Sequence, residues 1–216
     1  MTQQESAVPA TASAPKPALP RRSLLPLYLV LLVSIAPVLG AVLVYFNPQW
    51  WPSESTNYGQ LVQPQRPMPA PSDLTLTTLD GKPFDLNSLK GEWLLMTVDG
   101  AQCEEACARK LFILRNSHAS QGKNVERVTR IWFITDDQPV PDKVLDAYRG
   151  TIMLRARPEQ LAEYLSKDTP QADAGLAAPM WIADPHGNLI LQYPAEADPL
   201  RFRKDLSKLI YNSRIG

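Results

Sequence analysis

The longest apolar run of the chain lies near its N-terminus, where no charged residue occurs from Leu24 to Phe46. These 23 residues would form a helix about 35 Å long, enough to cross a hydrocarbon core. A secretory signal peptide has a shorter apolar region followed by a small-residue cleavage site, which is not evident here. A buried core helix of this length would rarely lack charges. The pattern therefore predicts one transmembrane helix over residues 23–46.

The charges on either side of this run predict its orientation. Lys16, Arg21 and Arg22 precede it, and the first basic residue after it is Arg66. Positively charged flanks stay in the cytoplasm, so the N-terminus is expected there and the rest of the chain outside. We predict a single-pass protein of the inner (cytoplasmic) membrane with a periplasmic, or otherwise extracytoplasmic, C-terminal domain.

Composition divides the remainder of the chain. Residues 1–22 are rich in Ala, Pro, Ser and Thr, which predicts a disordered cytoplasmic tail. Residues 47–72 contain six prolines, which favour extended polyproline conformations and predict a semi-rigid linker. Residues 73–213 are left as one domain of a size that can bury a core.

Within this domain, segments with strand patterns alternate with segments with helical patterns. Strands are predicted at residues 74–79, 84–86, 93–98, 128–134, 151–154, 180–183 and 189–193. Helices are predicted from residue 103 to 118 and at residues 142–148, 158–165 and 202–210. This alternation predicts an α/β fold whose central mixed sheet has helices on both faces. A buried strand that leads through a loop into a helix beginning with Cys is typical of a thioredoxin-like fold.

Charge and motif content exclude several function classes. Lys plus Arg number 22 and Asp plus Glu also number 22, so the balance gives no indication of nucleic-acid binding. Neither a nucleophile-elbow motif nor a phosphate-binding loop is evident. The chemistry is concentrated instead in one cysteine pair.

That pair is Cys103 and Cys107. At positions i and i+4 of a helix start, their Cα atoms would lie about 6 Å apart, within the range of a disulfide. The helix N-terminus stabilises a thiolate on the first cysteine, whereas Glu104 and Glu105 oppose it. A disulfide closing so short a loop restrains the unfolded chain only modestly, which favours a functional pair. Outside the cytoplasm an inert structural disulfide is the alternative.

Four segments of the sequence resemble the Sco/SenC family. They are residues 91–95 (Gly-Glu-Trp-Leu-Leu), the Cys103–Cys107 pair, residues 131–134 (Ile-Trp-Phe-Ile) and residues 180–187 (Met-Trp-Ile-Ala-Asp-Pro-His-Gly). The resemblance extends over residues 74–210, but it is specific only at the cysteine pair and the late hairpin. It implies a membrane-tethered thioredoxin-like protein that helps to deliver copper to, or to reduce, the copper site of cytochrome c oxidase.

The sequence departs from that family at the copper ligands. In the family both cysteines and one histidine bind copper, and here Leu176 stands where the histidine is expected. Ala108 follows the second cysteine, where the family has proline. Copper is therefore expected only as Cu(I) bound by Cys103 and Cys107, since soft thiolates suit that ion.

Other candidate ligands have structural explanations. His118 lies eleven residues beyond the second cysteine along the same predicted helix, and His186 lies in the turn of the late hairpin. Both are predicted to be ordinary helix or turn residues, and Met180 is predicted to lie in the core. Asp136 and Asp137 follow a strand end, where they are predicted to cap a loop.

The resemblance also implies a binding residue opposite the cysteines. Ala178-Pro179 directly precedes a predicted strand, as the cis-proline of thioredoxin-like proteins does. By this resemblance Pro179 would hold an extended segment of a partner. A trans proline at the start of a strand is the alternative.

Together these features predict thiol–disulfide exchange or copper-site maturation during cytochrome c oxidase assembly. Cys103 would be the attacking thiol and Cys107 the resolving one. The expected partners are membrane lipid, through the single helix, and a cysteine-containing protein, either the oxidase copper subunit or an assembly factor. The alternatives are a non-catalytic scaffold with an incidental disulfide and a copper chaperone with a two-cysteine site.

Overall fold

The computed structural model describes residues 23–50, 57–167 and 175–213. The predicted tail, residues 1–22, lies outside these described residues. The chain divides into two compact units, residues 1–54 and 55–216. We describe each unit by itself.

The described part of the first unit consists of helix α1 (Leu25–Phe46) and a short 3₁₀ turn (Pro48–Trp50). Helix α1 is long and apolar enough to cross a membrane, and none of its residues is buried within the protein. Pro37 lies inside the helix. The helix agrees with the predicted span, residues 23–46, apart from the first two residues.

The second unit is built on an eight-stranded sheet with the order β1-β8-β7-β4-β5-β6-β2-β3. Its strands are β1 (Gln60–Pro67), β2 (Leu76–Thr78), β3 (Pro83–Phe84), β4 (Trp93–Asp99), β5 (Val128–Ile134), β6 (Thr151–Ala156), β7 (Met180–Ala183) and β8 (Asn188–Tyr193). Strands β4, β5 and β6 run parallel, and the other neighbouring pairs are antiparallel. The sheet is therefore mixed, as predicted.

Helices cover both faces of this sheet. They are α2 (Glu105–Ala119), α3 (Asp142–Ala147), α4 (Pro158–Leu165) and α5 (Pro199–Asn212). Alternate side chains of β4 point to opposite faces. Those of one face share a first core with α4, which includes Leu94, Met96, Val98, Leu161 and Leu165. Those of the other share a second core with α2 and α5, which includes Trp93, Leu95, Leu114, Phe202 and Leu206. The predicted α/β architecture is confirmed.

Strand β1 lies where the sequence analysis predicted a linker. It pairs antiparallel with β8, from Gln60 opposite Gln192 to Pro67 opposite Asn188. Val62 is only 4% exposed and packs in the first core. Because β1 is an edge strand, its prolines need not donate to a second neighbour. Residues 60–67 therefore belong to the sheet rather than to a polyproline stalk.

Helix α5 holds the start of the domain through one buried carboxylate. Asp205 is 6% exposed, and its Oδ2 accepts the backbone N–H groups of Tyr58 (2.7 Å) and Gly59 (2.9 Å). The same oxygen accepts the hydroxyl of Tyr193 at 3.3 Å. Burial raises the pKa of Tyr193, and the charge of Asp205 adds to this shift. A Cβ at Gly59 would lie 2.5 Å from the Tyr193 ring, so glycine permits this close approach.

Replacing Asp205 with Ala should lower the free energy of unfolding by about 1.5–3 kcal/mol, because one buried and one partly buried N–H group would lose a charged acceptor. Asp205→Asn keeps an acceptor oxygen and should cost less. Asp146→Ala removes an exposed ion pair with Arg149 and serves as the control. Denaturant unfolding of the full chain in detergent measures all three variants. Equal losses for Asp205→Ala and Asp146→Ala would contradict the expectation.

Candidate redox site

The central strand β4 leads directly into the cysteine site. It ends at Asp99, Cys103 follows in the loop, and α2 begins at Glu105. Cys103 and Cys107 form a disulfide with an S–S distance of 2.03 Å and a Cα–Cα distance of 5.0 Å. The disulfide therefore joins the loop after β4 to the first turn of α2.

Cys103 does not belong to the helix that the spacing predicted for it. It precedes the N-cap residue Glu104, and its φ of 46° lies in the left-handed region, which is costly for a residue with a side chain. The predicted buried stripe holds for Cys107, Leu111 and Leu114. The chain thus turns sharply at Cys103, which brings its sulfur back to Cys107.

The two sulfur-bearing residues differ in exposure. Cys103 is partly exposed, whereas Cys107 is 1% exposed and packs with Leu111, Trp132 and Ile134. The side chain of Glu104 makes no capping hydrogen bond at the start of α2. Because Cys103 directly precedes the N-cap, the positive end of the helix dipole lies next to it and can stabilise a thiolate once the disulfide is reduced, whereas the charges of Glu104 and Glu105 oppose this effect.

Asp136, just after β5, forms hydrogen bonds that stabilise the loop preceding Cys103. Its carboxylate accepts the backbone N–H groups of Ala101 and Gln138, both at 3.1 Å. A Cβ at Gly100 would lie 2.7 Å from Oδ2 of Asp136, so glycine permits this close approach. Arg155 donates to the carbonyls of Asp136 and Gln138. The predicted loop-capping role agrees with this geometry for Asp136.

A buried ammonium lies at the end of β4. Lys110 is 0% exposed, and its Nζ lies 2.9 Å from Oδ2 of Asp99. It also donates to the carbonyls of Val98, at 2.9 Å, and Ala177. Three acceptors match the three N–H groups of a protonated lysine. Burial lowers the pKa of Lys110, and the hydrogen bond and charge of Asp99 oppose that shift.

The sequence analysis missed Lys110. The spacing could have indicated that Lys110 is buried, since it lies three residues after Cys107 and four before Leu114, on the buried side of α2. A lysine at such a position must either extend to solvent or find buried acceptors. The sequence did not show that Asp99, at the end of β4, would supply one.

Pro179 directly precedes β7, which begins beside the end of β4. The Ala178–Pro179 peptide bond is trans, since the one cis bond among the described residues is Gln63–Pro64. The cis prediction was therefore wrong, and a trans proline is tolerated here because no ladder bond is lost at the start of a strand. Pro179 is buried, whereas Ala177 is exposed. The role of Pro179 in holding a partner stays a prediction.

The sequence and the fold can now be compared with known proteins. The family model described as "Transmembrane-like, thioredoxin-like, C-terminal domain" matches residues 93–213, more than half of the chain. This chain belongs to the transmembrane-like, thioredoxin-like family. The matched region runs from β4 to the end of α5 and contains the whole cysteine site. No curated protein sequence matches the chain.

Solved structures that share the fold of this family member include three Sco proteins. Apo Sco1 of Thermus thermophilus has a TM-score of 0.53 and 17% identity, over 74% of this chain and 99% of that one. BsSco is a member of the Sco family of cytochrome c oxidase assembly proteins, and a disulfide switch was identified in it. It has a TM-score of 0.51 and 19% identity, over 69% of this chain and 96% of its own. Copper-bound ScoI of Arabidopsis thaliana has a TM-score of 0.50 and 18% identity, over 64% of this chain and 96% of its own. The predicted Sco-like, thioredoxin-like fold is confirmed.

Both histidines of this transmembrane-like, thioredoxin-like protein lie away from the cysteines. His118 lies in the last turn of α2, about 16 Å along the helix from Cys107. Burial lowers the pKa of His118, the charge of Arg130 adds to this shift, and backbone hydrogen bonds partly oppose it. His186 lies in the turn after β7. The neighbouring Pro185 carbonyl accepts the N–H of Gly91, so this turn lies at the opposite end of β4.

The remaining candidate ligands face the cores. Leu176 is partly buried and packs on the first core, and Met180 is fully buried in the second. Within the described ranges, no three His, Cys, Asp or Glu side chains are grouped as a metal site would require. In the part of the chain that the structure describes, the soft donors at the site are the two sulfurs of Cys103 and Cys107. Once reduced, they fit Cu(I) and lack the nitrogen donor that would favour Cu(II).

Proposed function

We propose that this protein is a membrane-anchored thiol–disulfide exchange protein that acts in the assembly of cytochrome c oxidase. The observation that carries the proposal is the asymmetry of the disulfide. Cys103 is partly exposed beside a helix N-terminus, and Cys107 is buried in the first turn of that helix. An accessible attacking thiol with a shielded resolving thiol is the arrangement that disulfide exchange requires.

A purely structural role suits this disulfide less well. It joins residues only four apart in the sequence. In the chain-entropy description, closing so short a loop contributes about 2 kcal/mol, against about 3 kcal/mol for a 15-residue loop. The short loop supports the proposal that the pair is retained for its chemistry.

The proposed reaction proceeds through a mixed disulfide. The Cys103 thiol loses its proton, its thiolate attacks one sulfur of a partner disulfide, and the other partner sulfur leaves as a thiolate that takes up a proton. Cys107 loses its proton and attacks Cys103, which releases the second partner thiol and restores the Cys103–Cys107 disulfide. The partner gains two electrons and two protons, and this protein loses them. The reverse sequence oxidises a partner dithiol.

The fold shared with BsSco supports a partner in oxidase assembly, because that protein belongs to a family of cytochrome c oxidase assembly proteins. We propose that the partner is a cysteine-containing protein outside the cytoplasm, either the oxidase copper subunit or an assembly factor. Pro179 and the exposed residues before it would line the approach to Cys103. A scaffold with an incidental disulfide is the competing function, and the trapping experiment below separates the two.

We propose that α1 anchors the protein in the inner membrane with its N-terminus in the cytoplasm. Lys16, Arg21 and Arg22 precede the helix, and basic flanks stay on the cytoplasmic side. A reporter that works only outside the cytoplasm should be active when fused after Gly216. A reporter that works only in the cytoplasm should be active when fused before Met1. The opposite pattern would reverse the orientation and remove the oxidising compartment that the proposal needs.

Cys107→Ser should accumulate a covalent complex with the partner in cells, because Cys103 can still attack but cannot be released by its neighbour. Non-reducing electrophoresis detects the complex, and a reductant should cleave it. Cys103→Ser is the matched control and should trap little, because Cys107 is buried.

Two results of this experiment would count against the proposal. Equal trapping by both single variants would keep the pair functional but refute the assigned attacking and resolving roles. No trapping by either, with a double Cys→Ser variant that still supports oxidase assembly, would establish the scaffold function instead.

Copper-site maturation is a second candidate, favoured by the copper bound to Arabidopsis ScoI on the same fold. Copper would be cargo held by the reduced Cys103 and Cys107. The reduced protein should bind Cu(I), and the double Cys→Ser variant should lose that binding, because the thiolates are the soft donors. Cu(II) should bind weakly, since Leu176 supplies no imidazole. Tight Cu(II) binding with a nitrogen ligand in paramagnetic resonance would contradict this assignment.

A further inference from the structure

Two segments of the chain lie just beyond the point where the pairing of β4 with β7 ends. The pairing of β4 with β7 ends where Thr97 lies opposite Met180. Beyond that pair the chain continues on one side as the cysteine loop (residues 100–104) and on the other as the opposing segment (residues 175–179). Since the sheet ladder does not extend to them, other contacts must fix their separation.

Lys110 supplies the connection between these segments. Its ammonium donates to the carbonyl of Ala177 in the opposing segment and to that of Val98 at the end of β4. It also lies 2.9 Å from Oδ2 of Asp99, whose Oδ1 accepts the N–H of Gly100, in the cysteine loop, at 3.0 Å. Among the described residues, no hydrogen bond other than the one from Lys110 reaches the opposing segment.

A buried lysine is an unfavourable way to fill this space. An apolar side chain of similar length, such as Met, would avoid the loss of ammonium solvation. What Lys110 supplies and Met does not is a set of three directed hydrogen bonds to three separate backbone or side-chain oxygens. Lys110 therefore gives the opposing segment a directed contact that Met could not make.

We propose that Lys110 is a positioning residue that holds the opposing segment beside Cys103, so that a partner polypeptide docks on that segment with its own cysteine at Cys103. This inference rests on the proposed exchange function. Ala177 is exposed and Ala178 is partly exposed, so small side chains leave the backbone of this segment open to a bound chain. Because Lys110 acts on docking and not on the sulfur, its loss should slow reaction with a protein partner and spare reaction with a small reagent.

The first test compares Cys107→Ser with the double variant Cys107→Ser/Lys110→Met. The double variant should form about tenfold less covalent partner complex in cells, since displacing a docking surface by about 1 Å is enough for losses of that order. Alkylation of Cys103 by iodoacetamide in the purified full chain, and its pH profile, should change by less than about twofold. Cys107→Ser/Lys143→Met removes an exposed lysine of α3 and is the matched control, with trapping expected to be unchanged.

Three other results would overturn the inference. Unchanged trapping by Cys107→Ser/Lys110→Met would overturn the positioning role while leaving the exchange function intact. An alkylation rate that falls as much as trapping would overturn it in favour of a direct electrostatic effect on Cys103. No complex from Cys107→Ser itself would refute the proposed function, and this inference with it.

A second variant keeps the proposal testable if Lys110→Met fails to fold. Ala177→Arg places a large side chain on the exposed opposing segment and leaves Lys110 intact. In the Cys107→Ser background it should reduce trapping without slowing alkylation of Cys103. Ala119→Arg makes the same change at the far, exposed end of α2 and should have no effect. Equal trapping by the two arginine variants would exclude docking on the opposing segment.

Discussion

Strand β4 is buried on both faces and paired on both sides, and this confinement determines where chemistry can occur. Its apolar side chains fill two separate cores. The one charged residue in the strand is Asp99, at its end. Reactive groups must therefore lie where β4 leaves the sheet. There the carbonyl of Val98 still requires a donor, which Lys110 supplies, and the loop to Cys103 begins. The position of the candidate site thus follows from the way a fully buried strand ends.

Much of the fold could be predicted from periodicity. Continuous apolar runs indicated β4 and β5, and helical spacing indicated α2, α4 and α5 to within a few residues. Strand β1 could not be predicted in this way. Its prolines indicate an extended chain, but only the partner strand β8, far along the sequence, makes it part of a sheet. Long-range pairing of this kind leaves no local pattern in a single sequence.

The candidate site was predictable only in its covalent part. The spacing of Cys103 and Cys107 permitted a disulfide, and the disulfide is present. The left-handed backbone at Cys103 and the bonds of Lys110 arise where the ends of β4 and β7 converge on α2, and no short motif encodes that convergence. The trans bond before Pro179 shows the same limit, because tertiary context rather than the dipeptide selects the isomer.

The two outer strands of the sheet bear on how readily the domain would associate with copies of itself. Exposed strand edges invite other chains to add to them. Here one edge strand, β1, carries Pro64 and Pro67, which donate no hydrogen bond, and the other, β3, is two residues long and begins with Pro83. Both edges are poor templates for aggregation.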